Sequence, residues 1–504
     1  MAELDHVDFN KESKHSGLSD LSLKIHAGEI VGVAGVDGNG QTQLAQLITG
    51  VLAPDAGEVH LKGKRVAVFD PNGFIEHGVC HVPEDRNLQG LIGDMSIAEN
   101  HGGLYQNLQL LRESHGEAPC NYFRSLGLDY VYVEEGNDIA TLIETFRRVK
   151  DCPHPVVVHI HTLKGKGYAL AEQEKERFHW SLPFDLSTGE VNVSEEEKDY
   201  DELTGAFLLD EIGKDLRVVA ITSGTPAVFG FSPERRRKAG RQFIDVGIAE
   251  EHAVALASGI AAGGGCPVYG VYSSFIQRTY DQLSQDLCIN NNPAVICVFA
   301  ASVWGMNDVT HLGLFDIPML SNIPNLVYLA PTCKEEYFAM LRWGMRQTSH
   351  PVAIRVPGNG VICNNAPVDA DYGDLNRYKV MQQGDTVAII AAGSFYKLGE
   401  TVAQQLHEQQ GITPTLINPR YLTGTDDKML DSLKKDHRLV ITLEDGILDG
   451  GFGEKIARFY GDSDMKVLNY GLRKEFVDRY DAGELLSANR LTAPQIVEDI
   501  ATVL

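Results

Sequence analysis

Asp245-Val-Gly-Ile-Ala-Glu-Glu-His-Ala-Val254 is the stretch whose reading decides the fold. Its apolar residues run into Gly247, and the small residues Ala253, Ala255, Ala257, Gly259, Ala261 and Ala262 follow, which lets backbones pack closely. The pattern predicts a strand end turning into a helix. Two carboxylates and a histidine stand at the mouth of that helix, where acidic side chains complement the helix dipole. Taken alone, an ordinary charged helix start looks the same.

Outward from this stretch the pattern repeats. Arg217-Val-Val-Ala-Ile-Thr222, Pro267-Val-Tyr-Gly-Val-Tyr272 and Ala294-Val-Ile-Cys-Val-Phe299 read as buried strands separated by helical segments. That alternation implies a parallel, doubly wound sheet. Further on, strands are expected at Thr386 to Ala391, Thr413 to Ile417 and Arg438 to Leu443, with a helix from Phe395 to Gln409 and an Asp-Gly turn at Asp445-Gly446. Upstream, Asp138 to Lys150 carries apolar residues at helical spacing (Ile139, Leu142, Ile143, Phe146, Val149), and Pro155-Val-Val-Val-His-Ile-His161 reads as a buried parallel-type strand.

The first portion has another character. Leu21-Ser-Leu-Lys-Ile-His26 alternates like an exposed strand, and Glu29-Ile-Val-Gly-Val-Ala34 reads as a buried one. It leads into Gly35-Val-Asp-Gly-Asn-Gly-Gln-Thr42 and a helix from Gln43 to Gly50. Strand, glycine loop and helix together can cradle an anion on backbone N–H groups. Gly35, Gly38, Gly40, Gln41 and Thr42 are therefore the nucleotide-facing candidates, for weak ATP binding at most, because Gln41 stands where a phosphate-binding lysine belongs.

The bulk numbers narrow the function. A chain of 504 residues is long enough for about three domains. A net charge of −25 without a basic block argues against nucleic acid or an anionic membrane as partner. The eight cysteines show no CxxC or CxxH spacing, which reads as reduced thiols of a cytoplasmic protein, and no metal ligand is assigned. Met1-Ala-Glu-Leu-Asp5 lacks the basic start of a signal peptide, and no apolar run approaches the roughly 18 residues of a membrane span.

Asp245 to Ala253 resembles the pyrimidine-binding domain of thiamine diphosphate enzymes of the transketolase type, and most closely the 1-deoxy-D-xylulose-5-phosphate synthase family. The resemblance implies that Glu250 hydrogen-bonds N1' of the cofactor's aminopyrimidine. A carboxylate there stabilises the imino tautomer, whose 4'-nitrogen takes the proton from thiazolium C2. It extends to Tyr272-Ser-Ser-Phe-Ile-Gln-Arg-Thr-Tyr-Asp281, implying that Phe275 stacks on the pyrimidine while Tyr272 and Arg278 face the acceptor's phosphate. Gly305-Met-Asn-Asp-Val-Thr-His-Leu-Gly313 implies that Asp308 and His311 bind sugar hydroxyls or assist proton transfer. Thr162-Leu-Lys-Gly-Lys-Gly-Tyr168 and Phe178-His179 imply that Lys164 and His179 belong to the active site. Arg355, in Ile354-Arg-Val-Pro-Gly358, is implied to face substrate.

There are departures. Val309 and Leu312 replace the usual Gly and Gln, Ala300-Ala-Ser302 stands where an Asp-Arg pair is expected, and a second arginine after Arg355 is missing. The family's magnesium site, a Gly-Asp-Gly and a later asparagine, has no counterpart before Met95.

There the sequence resembles instead the nucleotide-binding cassette of sugar and nucleoside ABC importers, on Ala34 to Thr42 and His81-Val-Pro-Glu-Asp-Arg86. The chain reads as a fusion joined at Asp94-Met-Ser-Ile-Ala-Glu-Asn100. The expected class is α/β and multidomain, with parallel doubly wound sheets and a partial P-loop-type N-terminal unit. Its expected parts are a cassette remnant over 1–94, a remnant of the diphosphate-binding domain over 95–198, the pyrimidine-binding domain over 199–370 and the C-terminal domain over 371–504. The resemblance implies a transferase joining pyruvate's two-carbon unit to glyceraldehyde 3-phosphate, impaired through its missing metal site, and a homodimer formed by the last two domains. An ATP-binding cassette component and a catalytically inactive fusion are the alternatives.

Overall fold

In the computed structural model the described residues are all but 1, 11–16, 27–28, 30, 32, 34–39, 80–110, 118–120, 126, 180, 182, 192–198 and 365–366. They fall into two units, Met1–Ser181 and Leu182–Leu504. Gly35, Gly38, the His81–Arg86 segment and the Asp94–Asn100 junction lie outside the described residues.

The first unit begins with an antiparallel sheet ordered β2-β1-β3-β4, made of β1 (Ala2–Phe9), β2 (Leu18–Ile25), β3 (Ala56–Leu61) and β4 (Lys64–Arg65). As the alternation at Leu21–His26 implies, β2 turns one face to solvent. The helix Gln41–Ile48 starts after Gly40, whose φ of 90° is a left-handed value that glycine adopts without a Cβ clash. Its Leu47 packs with Leu4, Val7, Leu18 and Val59.

The expected buried strand at Glu29–Ala34 is not seen in its described residues: Val31 and Val33 are exposed and outside any strand. A P-loop strand is buried on both faces of a parallel sheet. The sheet formed here is antiparallel, and none of the described residues of the run joins it.

Later in the unit, β5 (Asp129–Val133) and β6 (Val156–Ile160) pair in parallel. Between them in sequence lies the helix Ile139–Val149, capped by Asp138, which accepts from the Thr141 amide at 2.8 Å. The spacing placed this helix correctly, yet Ile139, Ile143 and Phe146 of its apolar stripe are exposed.

The second unit opens with a six-stranded, wholly parallel sheet. Its strands are β7 (Val218–Thr222), β8 (Phe243–Asp245), β9 (Cys266–Tyr272), β10 (Val295–Phe299), β11 (Val327–Leu329) and β12 (Val352–Arg355), ordered β11-β12-β10-β9-β7-β8. Alternate residues of one strand enter different cores, which is what double winding requires. Ile296 and Val298 pack with Ala253, Val254 and Ala257 of the helix Glu250–Ala262. Val295, Cys297 and Phe299 pack with Leu208, Tyr337 and Leu341 of the helices Tyr200–Ile212 and Lys334–Arg346.

A five-stranded sheet follows, ordered β13-β15-β14-β16-β17 and parallel except for β13. It consists of β13 (Lys379–Gln382), β14 (Thr386–Ala391), β15 (Thr415–Asn418), β16 (His437–Ile447) and β17 (Lys466–Leu472). The turn expected at Asp445-Gly446 is strand instead, because β16 continues to Ile447. The acidic pair in it is neutralised from both sides. Glu444 accepts from the amides of Phe452 (2.8 Å) and Gly453 (2.7 Å), at the start of the helix Phe452–Tyr460, and Asp445 is ion-paired with Arg355. The first amides of this helix are thus satisfied by the chain's own Glu444 side chain.

Candidate active site

In open α/β sheets ligands bind outside the carboxyl ends of the strands, and the candidate residues gather at those ends of β8, β9 and β10. Asp245 closes β8 and accepts from the amides of Gly224 (2.8 Å) and Gly247 (3.0 Å), which joins the turns after β7 and β8. Gly247, at φ 71°, reverses the chain so that Glu250 becomes the first residue of its helix.

Glu250 is buried, its side chain 2% exposed, and one carboxylate oxygen accepts from Nη1 of Arg278 at 3.2 Å. Its other oxygen accepts no hydrogen bond among the described residues. Arg278 lies on the single 3-10 turn Ile276–Thr279 that follows Phe275, and half of its side chain is exposed.

The half-buried Phe275 ring meets Tyr272 edge-on at 5.3 Å and the His311 ring at 5.4 Å. His311 Nδ1 stands 2.9 Å from Asp308, whose carboxyl also receives the Thr310 hydroxyl. The Thr310 hydrogen bond first, and then His311, draw the Asp308 carboxyl down to about 2. One unit therefore brings together Glu250, Arg278, Phe275, Tyr272, His311 and Asp308, the last two on a loop whose support lies 169 residues or more along the chain.

That support comes from the C-terminal sheet's side of the unit, where sequence reading had assigned no role. Asp478 accepts from the Val309 amide at 3.1 Å, and the Arg479 amide donates to the Asn307 carbonyl at 2.6 Å. Asn307 in turn donates to the Tyr480 carbonyl at 3.0 Å, and the Tyr480 hydroxyl donates to the Val303 carbonyl at 3.0 Å. Nothing local in Asp478-Arg-Tyr480 announces this, since its partners lie in another domain. Asp245 was in the deciding stretch but carried no role until its two amide bonds were visible.

Ala300 replaces an expected charged residue and adopts a left-handed φ of 53°, with its carbonyl against Gly313. Arg355 is a correction. It is expected to face substrate, but it is buried, with Nε 2.7 Å from Asp316 and Nη1 on Asp445. Its guanidinium is consumed by two carboxylates.

In the first unit, Lys164 donates from Nζ to Nδ1 of His179 at 2.6 Å, so these two candidates stand side by side within it. Both are exposed. Gly40, Gln41 and Thr42 form the start of their helix.

This arrangement, a buried carboxylate at a helix start beside an aromatic turn on a parallel sheet, defines a class. Residues 197–360 match the transketolase pyrimidine-binding domain and residues 376–496 the transketolase C-terminal domain, while residues 18–167 match the ABC transporter family. The chain thus carries matches to both of these transketolase domains beside the ABC transporter match. Its curated relatives are 1-deoxy-D-xylulose-5-phosphate synthases. It is 35% identical to that of Clostridium perfringens over 390 residues, 77% of this chain and 62% of the relative. It is 33% identical to that of Clostridium tetani over 419 residues, 82% of this chain and 66% of the relative. With that of Thermosynechococcus vestitus the identity is 35% over 383 residues, 75% and 60% of the two chains. The chain thus spans less than two thirds of the length of these relatives.

Among solved structures, a split gene transketolase described as an inactive beta4 tetramer aligns with a TM-score of 0.51 at 20% identity, over 61% of this chain and 98% of that one. Transketolase from Leishmania mexicana aligns with a TM-score of 0.51 at 15% identity, over 62% and 46%. These two likenesses concern the fold.

Among the described residues no helix is long and apolar enough to cross a membrane, and no group of three or more His, Cys, Asp or Glu is placed to hold a metal ion.

Proposed function

We propose that this chain is a thiamine diphosphate-dependent transferase of the 1-deoxy-D-xylulose-5-phosphate synthase type, acting on pyruvate and glyceraldehyde 3-phosphate with loss of carbon dioxide. The observation that carries this reading is the Glu250 carboxylate, buried at a helix start with one oxygen free of hydrogen bonds among the described residues. A carboxylate oxygen that accepts no hydrogen bond among the described residues fits the N1' side of an aminopyrimidine, and the Phe275 ring beside Arg278 offers a flat apolar surface for stacking. The cofactor, when bound, supplies the electron sink for decarboxylation.

The chain's own residues do the rest. Glu250 holds a proton at N1', Phe275 orients the ring, and Tyr272 and Arg278 receive the acceptor's phosphate. His311, steered by Asp308, moves a proton at the acceptor, while Lys164 and His179, paired within the first unit, are that unit's cofactor-binding and catalytic candidates. Magnesium belongs to this chemistry, but the residues present fit the pyrimidine end of the cofactor better than its diphosphate end, so turnover is impaired. The chain works in the cytoplasm as a homodimer through its last two domains.

The ABC transporter match over residues 18–167, beside the transketolase domains, supports a second reading, a catalytically inactive fusion. The match of residues 18–167 to ABC transporters supports ATP binding as a further alternative.

Calorimetric titration of the full chain with thiamine diphosphate, with and without Mg2+, separates these readings. Weak binding lost in Glu250→Gln is expected. A flat titration under both conditions removes the transferase reading, and ATP affinity raised by Gln41→Lys would support the cassette alternative.

A further inference from the structure

We infer that a cavity lined by Ser321, Lys455 and Arg458 in the second unit is a binding site for a phosphate-class anion. It shares no lining residue with the candidate active site and stands apart from the pyrimidine-site reading of Glu250.

The cavity measures about 400 Å3, room for a phosphate or a small phosphate monoester. Three segments wall it: the end of the helix Asp316–Leu320 with Ser321 after it, the turn beginning at Thr423, and the helix Phe452–Tyr460. Lys455 and Arg458 are three residues apart, which sets them on one face of that helix. Lys455 Nζ donates to the Leu422 carbonyl at 2.6 Å, which leaves its other N–H donors uncommitted. Arg458 is exposed, and neither cation has an ion-pair partner among the described residues.

The carboxylates bonded to these segments are already engaged. Glu444 accepts the Phe452 and Gly453 amides, Glu454 the Gly450 amide at 2.9 Å, and Asp427 the Thr425 hydroxyl at 2.6 Å. Burial holds Lys455 down at about 8, while Glu444 pulls it up and the charge on Arg458 presses it down. Two cations on one cavity repel, and an anion between them relieves the repulsion. On another wall Ser321 is only 7% exposed, and its buried hydroxyl has no hydrogen-bond partner among the described residues. Turning that hydroxyl to a ligand therefore breaks no bond.

The chain as a whole carries a charge of −25 and repels anions, so affinity for one has to come from such a local cluster. A tetrahedral phosphate presents several acceptor oxygens and can take an ammonium, a guanidinium edge and a hydroxyl at once. Bound there, it bridges Ser321 in the pyrimidine-binding domain to Lys455 and Arg458 in the C-terminal domain.

The test is 13C NMR of the full chain labelled at lysine Cε, at fixed pH and ionic strength, with the Lys455 resonance assigned by its loss in Lys455→Met. Inorganic phosphate and glycerol 3-phosphate are the probes. One or both are expected to move the Lys455 resonance to saturation at millimolar concentration, the tighter telling free phosphate from a phosphate monoester as the occupant. Arg458→Gln is expected to weaken that binding about tenfold, while Arg278→Gln, in the candidate active site, leaves it unchanged. Should Arg458→Gln fail to fold by circular dichroism, Ser321→Ala is read instead, with a loss of about threefold expected. A Lys455 resonance that neither probe moves, or wild-type affinity in the folded variant, overturns the site. Because no arm contains thiamine diphosphate, failure here and failure of the transferase reading are separate results.

Discussion

Arg355 at the end of β12 is ion-paired with Asp445 inside β16, so one guanidinium ties the six-stranded sheet to the five-stranded one. Asp316 takes the other edge at 2.7 Å and also accepts from the Tyr328 hydroxyl. All three ionic side chains are buried.

Breaking a buried network by removing one partner strands the remaining charges. Arg355→Met is expected to destabilise the chain by about 3–5 kcal/mol. Urea unfolding should show the loss, and adding Asp316→Asn and Asp445→Asn should recover part of it. A single variant as stable as wild type would contradict the structural role given to Arg355.

Stability should also carry the signature of a buried carboxylate and a buried lysine. Burial raises the Glu444 carboxyl from 4.5 to about 7, so the folded chain binds a proton that the unfolded chain has released. The stabilisation is complete below pH 4.5 and is lost as pH rises to about 7. Burial lowers Lys455 from 10.5 to about 8, so its penalty is present below pH 8 and is relieved as pH rises towards 10.5. The two effects together predict a dip in melting temperature between pH 7 and 8. Glu444→Gln should flatten the acid limb and Lys455→Met the alkaline limb; variant profiles parallel to wild type would refute both assignments.

Gly313 has no room for a side chain. A Cβ there would lie 1.8 Å from the Ala300 carbonyl oxygen, and Ala300 is already held at a left-handed φ of 53°. Gly313→Ala is expected to cost about 1–3 kcal/mol and to displace the Asp308–His311 loop. Equal urea midpoints for variant and wild type would show that the loop relaxes freely.

Asp478→Ala removes the acceptor of the Val309 amide. The site is exposed, so global stability should change by less than about 1 kcal/mol. Amide hydrogen exchange over residues 307–311 should nevertheless accelerate severalfold, and unchanged exchange would mean that the C-terminal segment does not brace the loop.

The order of strands and helices from Arg217 onward was legible because each buried strand is a run of β-branched and apolar residues bounded by glycine or polar turns. The helix at Glu250 was legible from its small residues. The short strand β11 carries too few residues for a pattern, and the edge strand β13 is half polar. The run at Glu29 misled because periodicity reports hydrophobicity, while burial depends on whether a sheet exists to receive the run.

By itself the sequence determined a parallel α/β chain with Glu250, Phe275 and Arg278 on adjoining segments after β8 and β9. Local spacing fixes Phe275 and Arg278 as neighbours, since residues within one turn cannot part. Only the tertiary structure decided that Arg278 faces Glu250, that Arg355 is spent between Asp316 and Asp445, and that Asp478 braces the loop of Asp308. These pairs are 28 to 169 residues apart, and a contact over such a distance is set by how sheets and helices pack, which no local pattern encodes.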